Sequence, residues 1–160
     1  MDATAGPPAP APDGDAVLTA SRALLAVVAR SLAPVLDQVT LPQFRALVVL
    51  SSSPEPLRSG DLAAALGVHP STFTRTADRL VAAGWVRRVE NPGNRRETLV
   101  DLTDEGRALV DEVTSRRRQE IEAILDRLDD DGREQVHLGL AAFARAAGEP
   151  AVHDLSALGL

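Results

Sequence analysis

Six arginines crowd into one stretch of a 160-residue chain: Arg75, Arg79, Arg87, Arg88, Arg95 and Arg96. Between Ser71 and Arg96 only Asp78 and Glu90 oppose them, so this segment carries +4. The whole chain carries −6, which leaves −10 for the remainder. A compact basic segment on an acidic protein is a footprint for a polyanion, with the acidic bulk turned away from it. Every cation is a guanidinium, since the chain has no lysine; GC-rich codon usage is enough to account for that. Arginine makes bidentate contacts to phosphate and to a guanine edge, which an ammonium does not. The other chemistries find no residues to carry them. There is no cysteine, which excludes disulfides, thiolate metal sites and thiol redox sensing. His69, His137 and His153 lie too far apart for metal-ligand spacing. No nucleophile–base set and no glycine-rich phosphate loop occurs, so neither an enzyme nor a cofactor is expected.

The elements around the arginines give them positions. Ser59 is expected to cap a short helix, Gly60 to Leu66, stopped by Gly67. After the turn Gly67-Val68-His69, Pro70 opens a second helix that runs to about Ala83, with Gly84 as its stop. Phe73, Ala77 and Leu80 recur at helical spacing and should face inward. That turns Ser71, Thr72, Thr74, Arg75 and Arg79 outward, with His69 at the start as a cap or a phosphate neighbour. Arg75 suits a guanine edge; Arg79 suits a phosphate or a pair with Asp78. Two strands follow, Trp85 to Glu90 and Thr98 to Leu102, joined by the turn-rich tip Asn91 to Glu97. Arg87 and Arg88 lie on the first strand, one of them a backbone contact and the other solvated. Asn94, Arg95 and Arg96 form the tip, where arginines suit a narrow minor groove. Two short helices joined by a glycine-containing turn, then a basic hairpin, form a winged helix-turn-helix: the second helix fits the major groove and the hairpin reaches beside it.

Helices flank this unit. Residues 1–15, rich in proline and alanine, read as a flexible tail without the basic start of a signal peptide. Ala16 to about Asp37 is a helix apolar around most of its circumference, with Pro34 kinking its last turn. A helix apolar on nearly all sides must be buried on nearly all sides, which in so short a chain argues for a dimer. Thr40 to Gln43 reads as a capping box opening a helix with Phe44, Leu47, Val48 and Leu50 inward. Thr103 caps a long helix to about Leu128, striped with Val110, Val113, Ile121, Ile124 and Leu128. The run Asp129 to Gly132 should break it before a last helix from about Arg133 to Ala147. No uninterrupted apolar run reaches the ~18 residues needed to span a bilayer; no membrane association and a cytoplasmic location are expected.

In this order the pieces resemble the MarR family of bacterial regulators. They are Thr40-Leu41-Pro42-Gln43-Phe44, Asp61-Leu62-Ala63-Ala64-Ala65-Leu66-Gly67-Val68, Pro70-Ser71-Thr72-Phe73-Thr74-Arg75, Asp78-Arg79-Leu80, Gly84-Trp85-Val86-Arg87-Arg88, Asn94-Arg95-Arg96 and Leu102-Thr103-Asp104-Glu105-Gly106. The resemblance covers about residues 16–147. It implies a mainly α fold with a small β-hairpin wing, a winged helix-turn-helix domain joined to a helical dimerisation domain. Residues 16–37 and 103–147 would supply the dimerisation helices, 40–102 the DNA-binding lobe and 148–160 a C-terminal tail. It further implies a homodimer on double-stranded DNA at a pseudo-palindromic promoter site, repressing more often than activating. Release by a small aromatic or phenolic acid, bound between dimer core and lobe, is also implied. Ser71, Thr72 and Arg75 match the base-reading positions and Arg96 the wing arginine. One departure is Asn94, where the family commonly has an aspartate; its amide oxygen still accepts a hydrogen bond but carries no charge. The competing expectation is a helical interaction module of the same fold that no longer binds DNA.

Overall fold

The computed structural model describes residues 14–94 and 98–148. Arg95, Arg96 and nearly all of both expected tails lie outside the described residues. The chain begins with α1 (Gly14–Leu32), followed by a 3-10 turn (Ala33–Val35), α2 (Leu41–Ser51) and the two-residue strand β1 (Leu57–Arg58). Then come α3 (Ser59–Ala65), α4 (Pro70–Ala82), β2 (Val86–Glu90), β3 (Thr98–Leu102), α5 (Asp104–Leu125) and α6 (Asp130–Ala146). The strands form one antiparallel sheet in the order β1-β3-β2, with Leu57 opposite Val100 and Arg87 opposite Asp101. A mainly helical fold with a small sheet is what the sequence led us to expect.

One core binds these elements. Phe73, Leu47, Leu62 and Leu80 are fully buried at its centre, joined by Val100 from the sheet and Val113 from α5. Each such side chain contributes roughly 1.5–3 kcal/mol by leaving water. Gly67 and Gly84, in the left-handed region at φ 65° and 80°, stop α3 and α4 as their positions suggested. At α2, the Gln43 amide oxygen reaches back to the Thr40 N–H at 2.8 Å, and the Thr40 hydroxyl donates to the same oxygen at 2.9 Å.

Several boundaries differ from expectation, each for a local reason. Gly14 and Asp15, assigned to the tail, already belong to α1. That helix ends at Leu32 rather than Asp37, because Pro34 sits in a 3-10 turn instead of kinking an α-helix. Ser59 is the first helical residue of α3, not its cap; Arg58, extended because it pairs in β1, occupies the cap position. β1 itself was missed, since two residues show no alternation. β2 begins at Val86 rather than Trp85, whose N–H closes the end of α4 on the Leu80 carbonyl at 3.0 Å. The expected breaker at 129–132 is the start of α6: Asp129 accepts from the Gly132 N–H at 2.8 Å, and Asp130 and Asp131 occupy the first turn. Acids there complement the positive helix end.

The flanking helices are half covered in this single chain. Only Val27, Ser31 and Leu32 of α1 are buried, and no residue of α6 is. The stretch Gly14–Val35 is also long and apolar enough to cross a membrane, by length and composition only. That corrects the expectation drawn from uninterrupted runs, which Arg22 and Arg30 had broken up. α1 nevertheless packs on α5, where Arg30 pairs with Glu120 at 2.6 Å.

Candidate nucleic-acid interface

α4 divides into two faces. Phe73, Ala77 and Leu80 are at most 1% exposed and seat the helix on the core. Ser71, Thr72, Thr74, Arg75 and Arg79 are exposed on the other side. His69 is the N-cap: its Nδ1 accepts from the Ser71 N–H at 3.3 Å and lies 2.9 Å from the Ser71 hydroxyl. Of its two expected roles, the cap is the one seen. Thr74 commits its hydroxyl proton to the Pro70 carbonyl at 3.0 Å, which leaves its methyl and lone pairs outward.

The two arginines of β2 are both engaged. Arg87 donates to the Asp101 carboxylate through Nε at 3.0 Å and through its terminal nitrogen at 2.6 Å, across a register pair of the hairpin. Arg88 points back to α4 and pairs with Asp78. Of the two roles offered for Arg79, a phosphate contact or a pair with Asp78, the pair is not made, since Arg88 holds that carboxylate. Neither Arg75 nor Arg79 is in an ion pair among the described residues. Their positive charge faces outward uncompensated. At the wing tip, Asn91 accepts the Gly93 N–H at 2.9 Å in an Asx turn, and the Asn94 N–H bonds the Asn91 carbonyl at 3.1 Å.

A polar joint holds the wing root to the helix. The Thr103 hydroxyl accepts from the Gly106 N–H at 3.0 Å, capping α5, and donates to the Gly84 carbonyl at 2.7 Å. One side chain thus links the end of α4 to the start of α5. Thr103→Ala is expected to cost about 1–2 kcal/mol, as the loss of an N-cap does. Urea denaturation checks it, and an unchanged midpoint would mean that water replaces the hydroxyl.

Two cavities border this lobe, and the sequence reading named the lining residues of neither. One, of about 370 Å³, lies where α1, α2 and α5 meet, walled by Val28, Phe44, Val48 and Val49. Arg45 and Arg117 also line it. Arg117 is half-buried, and its guanidinium is held below the usual arginine range by desolvation. Its Nε reaches the buried Ser31 hydroxyl at 3.3 Å. Neither Arg45 nor Arg117 has a carboxylate partner among the described residues. The second cavity, of about 310 Å³, lies between α2 and α4.

A MarR family model matches residues 37–97, which run from the approach to α2 through the wing. The HTH-type transcriptional regulator PecS of Dickeya dadantii is 35% identical over 86 residues, 54% of this chain and 51% of PecS. The chain thus spans about half the length of the curated relatives it matches. Among solved structures, RV1404 from Mycobacterium tuberculosis is 45% identical with a TM-score of 0.79, covering 87% of this chain and 94% of that one. The transcriptional repressor CouR, bound to a 23-mer DNA duplex, is 27% identical with a TM-score of 0.62 over 82% of this chain and 91% of its own. The helix-turn-helix, the wing and these likenesses agree: the chain belongs to the MarR family of winged helix-turn-helix transcriptional regulators.

Proposed function

We propose that this chain binds a pseudo-palindromic promoter site as a homodimer and represses transcription, with α4 in the major groove and the β2–β3 wing beside it. The observation that carries this reading is the outer face of α4, where Ser71, Thr72 and Arg75 stand exposed on a helix whose opposite face is locked in the core. Arg79, His69 and the wing residues Asn94, Arg95 and Arg96 would hold backbone and minor groove. Arg87 and Arg88 would reach phosphate by opening or sharing their ion pairs. Fluorescence anisotropy tests the reading, using DNA from upstream of the chain's own coding region against scrambled DNA across a salt series. Sequence-selective binding with a steep salt slope is expected. Binding indifferent to sequence would contradict it.

The dimer is supported by the apolar surface left on the flanking helices, Leu25 67%, Leu138 57% and Phe143 60% exposed. Residues 16–37 and 103–147 would bury these faces against the partner copy rather than in lipid, which suits a cytoplasmic protein. Phe143→Glu is expected to weaken the dimer by ~3 kcal/mol or more, as removing a buried phenylalanine does. Sedimentation of the variant as a dimer would exclude Phe143 from the interface.

An acidic effector is supported by the cavity at α1, α2 and α5. A guanidinium without a carboxylate partner among the described residues, beside the apolar walls of an open hollow, suits a small aromatic or phenolic acid. Arg117→Met keeps the apolar stem and removes the charge. It is expected to weaken benzoate binding by about 1.5–3 kcal/mol, the range for a hydrogen bond to a charged group. Calorimetry showing equal affinity would place any acid site elsewhere.

A further inference from the structure

The helix that carries the reading surface is capped differently from its neighbours. α5 and α6 are capped by oxygens of Thr103 and Asp129, which accept at 3.0 and 2.8 Å. The cap of α4 is an imidazole: His69 Nδ1 accepts from the Ser71 N–H at 3.3 Å and lies 2.9 Å from the Ser71 Oγ. Both contacts go to Ser71, the first residue of the exposed face. Imidazole is the side chain that ordinarily changes charge between pH 5 and 8. His69 has no ion pair among the described residues. The charged residues of the elements around it are Asp61, at the far end of α3, Arg45 on α2, and Arg75, Asp78 and Arg79 on α4. β2 meets α4 in its second half, where Arg88 already holds Asp78.

We propose that His69 is a positioning residue for base reading: neutral, it fixes Ser71 and the first turn of α4; protonated, it releases them. The inference rests on the reading of α4 as the helix that enters the major groove. A protonated imidazole carries a hydrogen on both ring nitrogens, so Nδ1 stops accepting and the Ser71 N–H loses its partner. The added charge also stands at the positive end of the α4 dipole, which opposes it. Both effects loosen the turn that holds Ser71 and Thr72. The same charge attracts phosphate whatever the sequence. Acid therefore lowers the preference for the correct site without lowering affinity for DNA in general.

Fluorescence anisotropy of the full chain, at fixed ionic strength from pH 8 to pH 5.5, compares DNA from upstream of its coding region with scrambled DNA. The ratio of the two affinities is expected to fall at least about fivefold with acid, the size of one lost N-cap. His69→Asn and, separately, His69→Ser supply a cap oxygen that does not ionise. Each is expected to hold a single ratio across the whole series. Both variants keep His137 and His153, so the difference from wild type reports His69 alone. A cap that served stability only would change the ratio equally at every pH. Circular dichroism identifies a variant that fails to fold, and the other then decides. A constant ratio in the wild-type protein, or the same fall in the folded variants, overturns the inference about His69 alone. No preference at pH 8 overturns the reading of α4 and this inference with it.

Discussion

Arg75→Ala is expected to weaken binding to the preferred DNA site by roughly 1–3 kcal/mol per half-site, about five- to 150-fold, and to erase the preference at one base pair of each half-site. The magnitude follows from the side chain's situation. Arg75 is exposed, lies one turn beyond Ser71 and Thr72 in the first half of α4, and has no ion pair among the described residues. It would therefore meet DNA without first breaking an ion pair. Its planar fork matches the two acceptors of a guanine edge, so Arg75→Lys should restore charge without restoring the preference. Arg79→Ala, by contrast, should weaken all sequences alike and flatten the salt slope. Binding selections with randomised half-sites distinguish the two patterns. An unchanged base preference in Arg75→Ala would move the reading surface off this face of α4.

The largest effect on stability is expected from Gly106→Ala. A methyl at Gly106 would stand 2.0 Å from the Trp85 carbonyl oxygen and 3.0 Å from Leu102 Cδ2. The obstacle is backbone, and it cannot swing aside. The same carbonyl accepts the Thr103 N–H at 3.2 Å, so moving it loosens the joint between wing and α5. Helix propensity alone favours alanine by ~1 kcal/mol. The overlap outweighs this, since overpacking costs roughly 1–3 kcal/mol and more against backbone. A net loss of about 3 kcal/mol should lower the melting temperature by on the order of 10 °C. Wild-type melting behaviour would show that α5 approaches the wing root less closely than described.

Much of the DNA-binding lobe was legible because its cues are local. The spacing of Phe73, Ala77 and Leu80 fixes which side of α4 is outer, and Pro70, Gly67 and Gly84 mark its neighbours' ends. Thr103 was recognisable as a cap from the acids that follow it. The parts that escaped depend on residues distant in the chain or on very short elements. β1 has two residues and exists because Leu57 meets Val100. Arg117 finds Ser31 across 86 residues, so the cavity between them leaves no periodicity behind. Asp78 was offered as one of two partners for Arg79, beside a phosphate, but β2 brings Arg88 to it. Asp129 to Asp131 read as a breaker because the same acids that end one helix also suit the first turn of the next. In α6, assigned from sequence to the dimerisation helices, Leu140 and Phe143 are 43% and 60% exposed in the single chain. Amphipathic spacing marks a face to be covered without saying which chain covers it.

The most direct test of the central claim is hydroxyl-radical footprinting of the purified protein on the DNA it selects. Two protected half-sites related by a two-fold axis, with centres about one helical turn apart and lost together in Arg75→Ala, are the expected result. A single protected half-site, or a footprint unaltered by Arg75→Ala, would contradict a dimer that reads DNA through α4.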